Sequence, residues 1–202
     1  MTEIYDENYL IALLLIFCIS IVIVVWLRFQ AGQNLARQTL LCGQAAQNTD
    51  WIIYYASQRG RAKKLALQTA LSLERGGFTV TVNLLGSIKP NDLERQTKCL
   101  FITSTFGNGQ SPEHARGFER KLNKFHPNLS HLNFALLALG DQQYDRFCGF
   151  GNKLNQWLVD CQASPINSLI TVSQMDKVSI KKWHKFIQEM GGDICAFDNE
   201  KI

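Results

Sequence analysis

The sequence lacks the short motifs that mark most metal sites and many nucleotide sites. Its 6 cysteines include no CxxC pair and its 4 histidines include no HxxxH or HExxH spacing, so nothing predicts a zinc site. Neither a GxxxxGK(S/T) loop nor a GxGxxG loop occurs, which excludes those two phosphate-binding motifs. Proline is scarce, at 4 of 202 residues, and 46% of the chain is hydrophobic. These values predict a globular protein with mostly reduced, structural cysteines.

Charge is missing from one long segment near the N-terminus. Residues 8–27 contain no charged residue, and from Tyr9 onward they are almost wholly apolar. About 20 such residues in a helix span the ~30 Å hydrocarbon core of a bilayer. A cleaved signal peptide would start with basic residues, whereas the acidic residues here are Glu3, Asp6 and Glu7. The segment therefore predicts a transmembrane helix rather than a signal peptide or a buried core helix.

The charges that flank this segment are unequal. Residues 1–27 carry a net charge of −3 and residues 28–202 one of +7. Because Lys and Arg are enriched on the cytoplasmic side, Arg28 and Arg37 favour a cytoplasmic C-terminal part. The predicted organisation is a short acidic non-cytoplasmic N-terminus over 1–8, a single-pass transmembrane helix over 9–27 and a linker over 28–49.

From Asp50 onward, short apolar segments alternate with helical ones. The apolar segments have the β-branched and aromatic composition of buried strands. The predicted strands are 51–56, 78–84, 99–104, 133–139 and 166–172, and the predicted helices are 62–75, 113–125, 153–161 and 180–190. This alternation predicts an α/β domain over 50–190, with one doubly wound, five-stranded parallel sheet, and a C-terminal tail over 191–202.

Three loops are the candidate site, because ligands of such sheets bind at the carboxyl ends of the strands. The first loop, Ser57–Ala62, joins a strand to a helix N-terminus, where a hydroxyl group and backbone amides favour an anion. The second, Thr103–Gly109, places Phe106 beside two glycines, and the third, Leu139–Gly151, carries Tyr144. Each loop alone is also compatible with a plain glycine turn. Together they indicate a flat, phosphorylated cofactor.

The three loops resemble the flavin mononucleotide (FMN) binding domain of the diflavin reductases, the family of sulfite reductase flavoprotein and cytochrome P450 reductase. Ser57–Ala62 is similar to the family's phosphate loop, usually S/T-Q-T-G-T/N-A. Thr103–Gly109 is similar to its TSTxGxG loop, and Leu139–Cys148 to its LGDxxYxxFC loop. The resemblance covers residues 50–190 and implies a flavodoxin-like fold with strand order 2-1-3-4-5 and FMN as cofactor.

The resemblance also implies a role for each loop. The first would hold the phosphate, Phe106 and Tyr144 would flank the isoalloxazine ring, and the third would wrap the other side of the ring. Cys148 would be a packing residue rather than a nucleophile, and no side chain would be catalytic or bind a metal. The implied cofactor-binding residues are Ser57, Gln58, Arg59, Gly60, Arg61, Ala62, Ser104, Thr105, Phe106, Gly107, Leu139, Gly140, Asp141, Gln142, Gln143, Tyr144, Asp145, Arg146, Phe147 and Cys148.

Two arginines depart from the family pattern. Arg59 and Arg61 occupy positions where the family usually has small hydroxyl or amide residues. Guanidinium groups bind phosphate well, so they could preserve or tighten FMN binding. Their bulk could instead block the phosphate and leave a flavin-free scaffold. Both alternatives remain open at the level of sequence.

The resemblance, together with the predicted transmembrane helix, implies a membrane-anchored electron carrier. A nicotinamide- or FAD-binding module is not legible in the sequence, so we expect a separate reductase and a separate acceptor. The region after Asp176 carries Lys177, Lys181, Lys182 and Lys185 where relatives tend to be acidic, which predicts an acidic-faced or membrane-bound partner. The formal net charge of +4 is too small to indicate nucleic acid, and no nucleic-acid partner is expected. The alternatives are a flavin-free, membrane-tethered interaction module and a small FMN-dependent NAD(P)H:quinone reductase.

Overall fold

The computed structural model describes residues 49–198 and, apart from them, Ile23. The chain divides into two compact units, Met1–Leu40 and Leu41–Ile202, and the fold below belongs to the second. The predicted acidic N-terminus, the transmembrane helix other than Ile23, and residues 28–48 of the linker lie outside the described residues, as do residues 199–202 of the tail. In the described part of the chain, no helix combines the length and apolar character needed to cross a membrane.

The described chain alternates strands and helices, as the sequence predicts. The strands are β1 (Trp51–Ala56), β2 (Val80–Leu84), β3 (Lys98–Ser104), β4 (Asn133–Gly140), β5 (Ser164–Pro165) and β6 (Ile170–Ser173). The helices are α1 (Arg61–Arg75), α2 (Arg116–Leu122), α3 (Gly149–Asp160), α4 (Lys177–Glu189) and α5 (Cys195–Asp198), with 3-10 turns at Leu85–Ser87, Pro90–Arg95 and Glu113–Ala115. All strand pairs are parallel, and the order β2-β1-β3-β4-β5 confirms the predicted sheet order.

The fifth strand position is shared by two short strands, and here the prediction of one strand over 166–172 is wrong. β5 pairs with the start of β4 at Asn133 and Phe134, and β6 pairs with its end from Leu137 to Gly140. Pro165 has no N–H to donate to a ladder, and Asn167 and Ser168, which favour turns, follow it. The chain therefore leaves the sheet edge and returns to it before the carboxyl end of β4.

Two hydrophobic clusters cover the two faces of the sheet. One holds the apolar sides of α1 and α4, and the other those of α2 and α3. On the first face, the Trp183 Nε1–H donates to Thr69 Oγ1 at 3.0 Å, which satisfies a buried polar pair between α4 and α1. Because β3 is central and covered on both sides, its residues from Cys99 to Thr103 are all buried.

The last described residues pack against α1. The backbone N–H of Asp193 donates to the Ser72 carbonyl at 2.9 Å, and Ser72 Oγ donates to the Asp193 carbonyl at 2.8 Å. Phe197 stacks on His184 with ring centroids 3.8 Å apart. Residues 191–198, which the sequence assigns to a tail, thus extend the packing of the domain.

One glycine allows α3 to approach the sheet closely. A Cβ atom added to Gly151 would fall on the Cβ of Ala138 in β4 and lie 3.2 Å from Thr103 Oγ1. Both neighbours are buried strand residues, so neither can move aside. The position of α3, and of the loop that leads into it, depends on this missing side chain.

We expect Gly151→Ala to lower the free energy of unfolding by about 1–3 kcal/mol, the usual cost of an overpacked core. The measurement is urea unfolding followed by circular dichroism. Gly117→Ala is the matched control, because a Cβ there meets nothing within 4 Å and alanine favours a helix. Equal stability of the two variants would contradict this account of the packing.

Candidate functional site

The strand register brings the three predicted loops to one edge of the sheet. In β1 and β3, Ala56 lies opposite Thr103, and in β3 and β4, Ser104 lies opposite Leu139. The loops that follow these strands surround an open cleft of about 420 Å³, a volume typical of small-molecule sites. The cleft is lined by Ser57, Gln58, Arg59, Arg61, Ser104, Thr105, Phe106, Gly107, Leu139, Gly140, Asp141, Tyr144, Arg146, Cys148 and Gln174.

Most of the predicted site residues therefore come together. Those that do not line the cleft are Gly60, Ala62, Gln142, Gln143, Asp145 and Phe147. Among them, Ala62 lies in the first turn of α1 and is fully buried in the core. Gln174 lines the cleft but was not predicted, because it follows β6 and the three candidate loops follow the first, third and fourth predicted strands.

The first loop ends in a helix N-terminus that no side chain caps. Gly60 occupies the N-cap position with φ 81°, a left-handed conformation that glycine adopts without strain. The first turn of α1 contains no acidic residue. Ser57 Oγ is buried and has no hydrogen-bond partner among the described residues. Unpaired amides at the positive end of a helix dipole, with a hydroxyl beside them, form an anion site.

Hydrogen bonds hold the first loop against the second. The Gln58 N–H donates to Ser104 Oγ at 3.1 Å, and Ser104 Oγ donates to the Ala56 carbonyl at 3.1 Å. The Ser57 N–H donates to His114 Nε2 at 3.3 Å. His114 lies in the 3-10 turn before α2, and no sequence motif indicated that it would reach the first loop. These contacts set the backbone of the first loop before any ligand binds.

The second loop is a short, closed turn that projects an aromatic side chain. Phe106 and Gln110 exchange backbone hydrogen bonds of 2.8 and 3.0 Å, with Gly107 and Gly109 at positive φ between them. Phe106 is 39% exposed, which is unusual for phenylalanine and leaves its ring available to a ligand. Thr105 Oγ1 is buried without a partner among the described residues.

The third loop is braced by one carboxylate. Asp141 accepts the Gln143 N–H and the Gln174 side-chain amide, both at 3.0 Å. These hydrogen bonds lower the pKa of Asp141 below its usual value, and the one from Gln143 has the larger effect. Asp145, on the same loop, does not line the cleft. Tyr144, 52% exposed, lies on this loop and lines the cleft.

Cys148, in the third loop, is the N-cap residue of α3. It is fully buried at φ 52°, and its Sγ–H donates to the Ala138 carbonyl at 3.2 Å. Burial raises the pKa of this thiol to about 11, so it stays protonated at neutral pH. A Cβ on Gly140 would lie 2.8 Å from the Cys148 backbone nitrogen, which shows how closely the two ends of the loop meet. These properties suit a packing role.

Positive charge dominates the cleft. Arg59, Arg61 and Arg146 line it, against Asp141 as the acidic residue among the lining groups. The side chains of Arg59 and Arg61 are exposed and lie on the wall of an open cleft rather than filling it. This placement favours the first of the two sequence alternatives, in which the guanidinium groups add to phosphate binding.

The residues present fit FMN. The uncapped start of α1 and the unpaired Ser57 hydroxyl match a phosphate, and the exposed Phe106 and Tyr144 rings match a flat isoalloxazine ring. Thr105 Oγ1 offers a further hydrogen-bonding atom beside Phe106. The fold and this cleft define an α/β domain that binds a flat, phosphorylated cofactor at the carboxyl edge of a parallel sheet.

Comparison with known proteins agrees with this class. The sequence profile described as flavodoxin matches residues 53–183. The chain is 40% identical over 171 residues to the sulfite reductase [NADPH] flavoprotein alpha-component of Bacillus subtilis, covering 82% of this chain and 28% of that one. It is 39% identical over 102 residues to the corresponding Neisseria meningitidis protein, covering 50% of this chain and 17% of that one. The matched part of the chain thus spans less than a third of the length of each of these relatives.

Solved flavodoxin structures share the fold. A flavodoxin from Streptococcus pneumoniae TIGR4 superposes with a TM-score of 0.59 at 22% identity, covering 69% of this chain and 96% of that one. Flavodoxin 1 from Bacillus cereus superposes with a TM-score of 0.59 at 16% sequence identity, covering 75% of this chain and 99% of that one.

The chain belongs to the flavodoxin family. Its domain is of the FMN-binding type found in the diflavin reductases, which confirms the prediction of fold and cofactor. The general function of this class of domain is electron transfer through FMN. The assignment of individual residues to the cofactor stays a prediction that the variants below test.

The left-handed backbone at Gly60 provides a first test. We expect Gly60→Ala to weaken FMN binding at least tenfold, because alanine disfavours φ 81° and the amides of the loop would turn away from the phosphate. Gly77→Ala is the matched control: Gly77 has φ 93°, equally open surroundings and a position at the opposite end of α1. Both variants should lose similar stability by thermal unfolding. Unchanged FMN affinity in Gly60→Ala, measured by fluorescence quenching, would remove this loop from the site.

His114 provides a pH-dependent test. Its Nε2 can accept the Ser57 N–H only when neutral, and burial lowers its pKa below the usual 6.5. A histidine whose pKa is lowered on folding stabilises the protein fully above the unfolded pKa and loses this contribution as the pH falls from 6.5 toward the folded value. We therefore expect the melting temperature of the flavin-free protein to fall more steeply below pH 6.5 in the wild type than in His114→Gln.

The exposed His131 supplies the control for this experiment. His131→Gln should keep the wild-type pH profile. A His114→Gln profile parallel to that of the wild type between pH 7.5 and 5.5 would show that His114 does not hold the loop.

Proposed function

We propose that this protein is a membrane-anchored electron carrier. In this proposal FMN lies in the cleft, a separate reductase supplies electrons and a separate acceptor takes them up. Residues 9–27 form the anchor, and the flavin domain lies on the cytoplasmic side. The observation that carries the electron-transfer part is the convergence of an uncapped helix N-terminus and two exposed aromatic rings on one open cleft.

FMN supplies one- and two-electron redox chemistry, which no amino-acid side chain in the cleft offers. The work of the protein is to bind and orient the cofactor. The titratable groups that line the cleft support this division, since Asp141 is held ionised by its hydrogen bonds and Cys148 is held protonated by burial. Neither is poised for acid–base chemistry near neutral pH.

The proposal of a separate reductase is supported by how the described residues are used. Residues 49–198 form one sheet, its covering helices and the cleft at its edge. The Bacillus subtilis relative, whose name includes NADPH, is more than three times as long as the matched segment. We infer that the reductase step takes place on residues outside this domain.

The membrane anchor is supported by sequence alone. The uncharged run of residues 8–27 has the length of a bilayer-spanning helix, and the −3 and +7 charges on its two sides favour a cytoplasmic domain. An anchor would confine the carrier to the membrane plane, where encounters with membrane-bound partners are more frequent.

Flavin binding by the full chain, purified in detergent, is the decisive measurement. We expect a yellow protein with one FMN per chain, whose flavin is reduced by dithionite and reoxidised by one-electron acceptors. The Arg59→Thr/Arg61→Thr variant should lose at least about tenfold in FMN affinity, because charge-assisted hydrogen bonds to phosphate contribute roughly 1.5–3 kcal/mol each. Its affinity for riboflavin, which has no phosphate, should stay unchanged.

Arg95→Thr/Arg120→Thr is the matched control, since both residues are exposed and neither lines the cleft.

A colourless chain that does not respond to added FMN would support the flavin-free interaction module instead. Tighter FMN binding by the double variant would mean that the two arginines obstruct the phosphate. NADPH-dependent quinone turnover by the pure chain would identify a quinone reductase, and release of the chain from membranes by alkaline carbonate would contradict the anchor.

A further inference from the structure

The N-terminal half of α1 is strongly basic. Arg59 and Arg61 are followed by Lys63 and Lys64, all exposed, and the first acidic residue of the helix is Glu74, in its last turn. Acidic residues stabilise the first turn of a helix and basic ones destabilise it, because the amide end of the dipole is positive. The sequence therefore places cations where they weaken the helix, so their presence calls for a role other than stability.

The N-terminal half of α4 repeats this pattern. Lys177, Lys181 and Lys182 are exposed, and the helix contains no acidic residue before Glu189, which pairs with Lys185 at 3.7 Å. The acidic residue at the start is Asp176, whose carboxylate accepts the N–H groups of Val178 and Ser179 as a helix cap.

The two basic helices pack against each other and begin at the same edge of the sheet. α1 and α4 pack in the same hydrophobic cluster and are joined by the hydrogen bond from Trp183 to Thr69. α1 follows β1 and α4 follows β6, and both strands run parallel, so both helices begin at the carboxyl edge where the cleft opens. We call the exposed cations of these two helix halves, with Arg59, the basic face.

We propose that the basic face is the docking surface for an acidic face of a redox partner protein. The inference rests on the proposed electron-transfer function and specifies its partner. Charge complementarity carries it, since Arg59 and Arg61 belong both to the basic face and to the lining of the cleft. Opposite charge around a redox site steers a partner so that its own redox centre meets the rim of the cleft.

The other occupants of a basic surface fit less well. The aromatic side chains of α4, Trp183 and Phe186, are buried, so the face offers no ring on which a nucleobase could stack. Among the described residues of α1 and α4, Val178 is the one large hydrophobic side chain that is exposed. This apolar area is small for a helix surface that inserts into lipid. A mostly ionic surface with one apolar contact resembles the rim of a transient protein interface.

Electron transfer to two haem proteins of opposite charge tests the proposal. The full chain is loaded with FMN in nanodiscs of zwitterionic lipid and reduced with dithionite, and the excess reductant is removed. It is then mixed with the acidic haem domain of cytochrome b5 or with basic cytochrome c, each in the ferric state. One electron passes from the reduced flavin to each ferric haem, giving ferrous haem, so that one fully reduced flavin serves two haems.

We expect the rate with cytochrome b5 to fall as ionic strength rises, and the rate with cytochrome c to rise. Lys63→Gln/Lys181→Gln/Lys182→Gln should lower the cytochrome b5 rate about tenfold at low ionic strength and flatten its salt dependence. The control is Arg95→Gln/Arg120→Gln/Lys124→Gln, which removes the same charge from exposed residues remote from α1 and α4. This control should retain the wild-type rate.

The outcomes separate the docking surface from the function on which it rests. Equal rates in the two triple variants, with electron transfer intact, would overturn the docking surface alone. A chain that binds no FMN, or whose reduced flavin reduces neither cytochrome at high ionic strength, would overturn the proposed function. Slower cytochrome b5 reduction in phosphatidylglycerol nanodiscs, relieved by the Lys63/Lys181/Lys182 variant, would assign the face to lipid and also overturn the proposal.

Discussion

The parallel pairing of β3 with β1 on one side and β4 on the other is the constraint on which the rest of the molecule depends. It places the carboxyl ends of three buried strands at one edge, with Ala56 beside Thr103 and Ser104 beside Leu139. The loops that follow these strands are therefore close together in space. Close approaches at Gly140 and Gly151 keep α3 and the third loop tight against this edge. The cleft is thus a consequence of the strand register rather than of any one motif.

The same edge carries groups that a structure optimised for stability alone would not retain. Ser57 and Thr105 bury hydroxyl oxygens without partners among the described residues, and α1 begins without a side-chain cap. Each of these costs free energy of folding in the absence of a ligand. By contrast, α4 is capped by Asp176, whereas α2 and α3, like α1, begin without a side-chain cap. Unpaired polar groups and an uncapped dipole become favourable contacts when a phosphorylated cofactor binds.

Sequence patterns predicted the fold and the loops well because both depend on local order along the chain. Apolar runs locate strands, and glycine, hydroxyl and aromatic residues after them locate loops. They did not predict the split of the fifth strand, because a short edge segment with Pro165 is held by pairing to β4 rather than by its own composition. His114 and Gln174 were missed for a related reason. Each reaches the site from a segment distant along the chain, and neither belongs to a motif.

The sequence by itself determined the alternation of strands and helices, the three loops, the excess of positive charge beyond residue 28 and the class of cofactor, because these follow from the order and type of neighbouring residues. Only the tertiary structure decided which of those residues share a surface. It placed Asp141 in reach of Gln174, and it packed α1 and α4 in one hydrophobic cluster, with both helices beginning at the carboxyl edge of the sheet. The physical reason is that such contacts arise from strand register and helix packing, which join residues more than 30 positions apart and leave no local trace in the sequence.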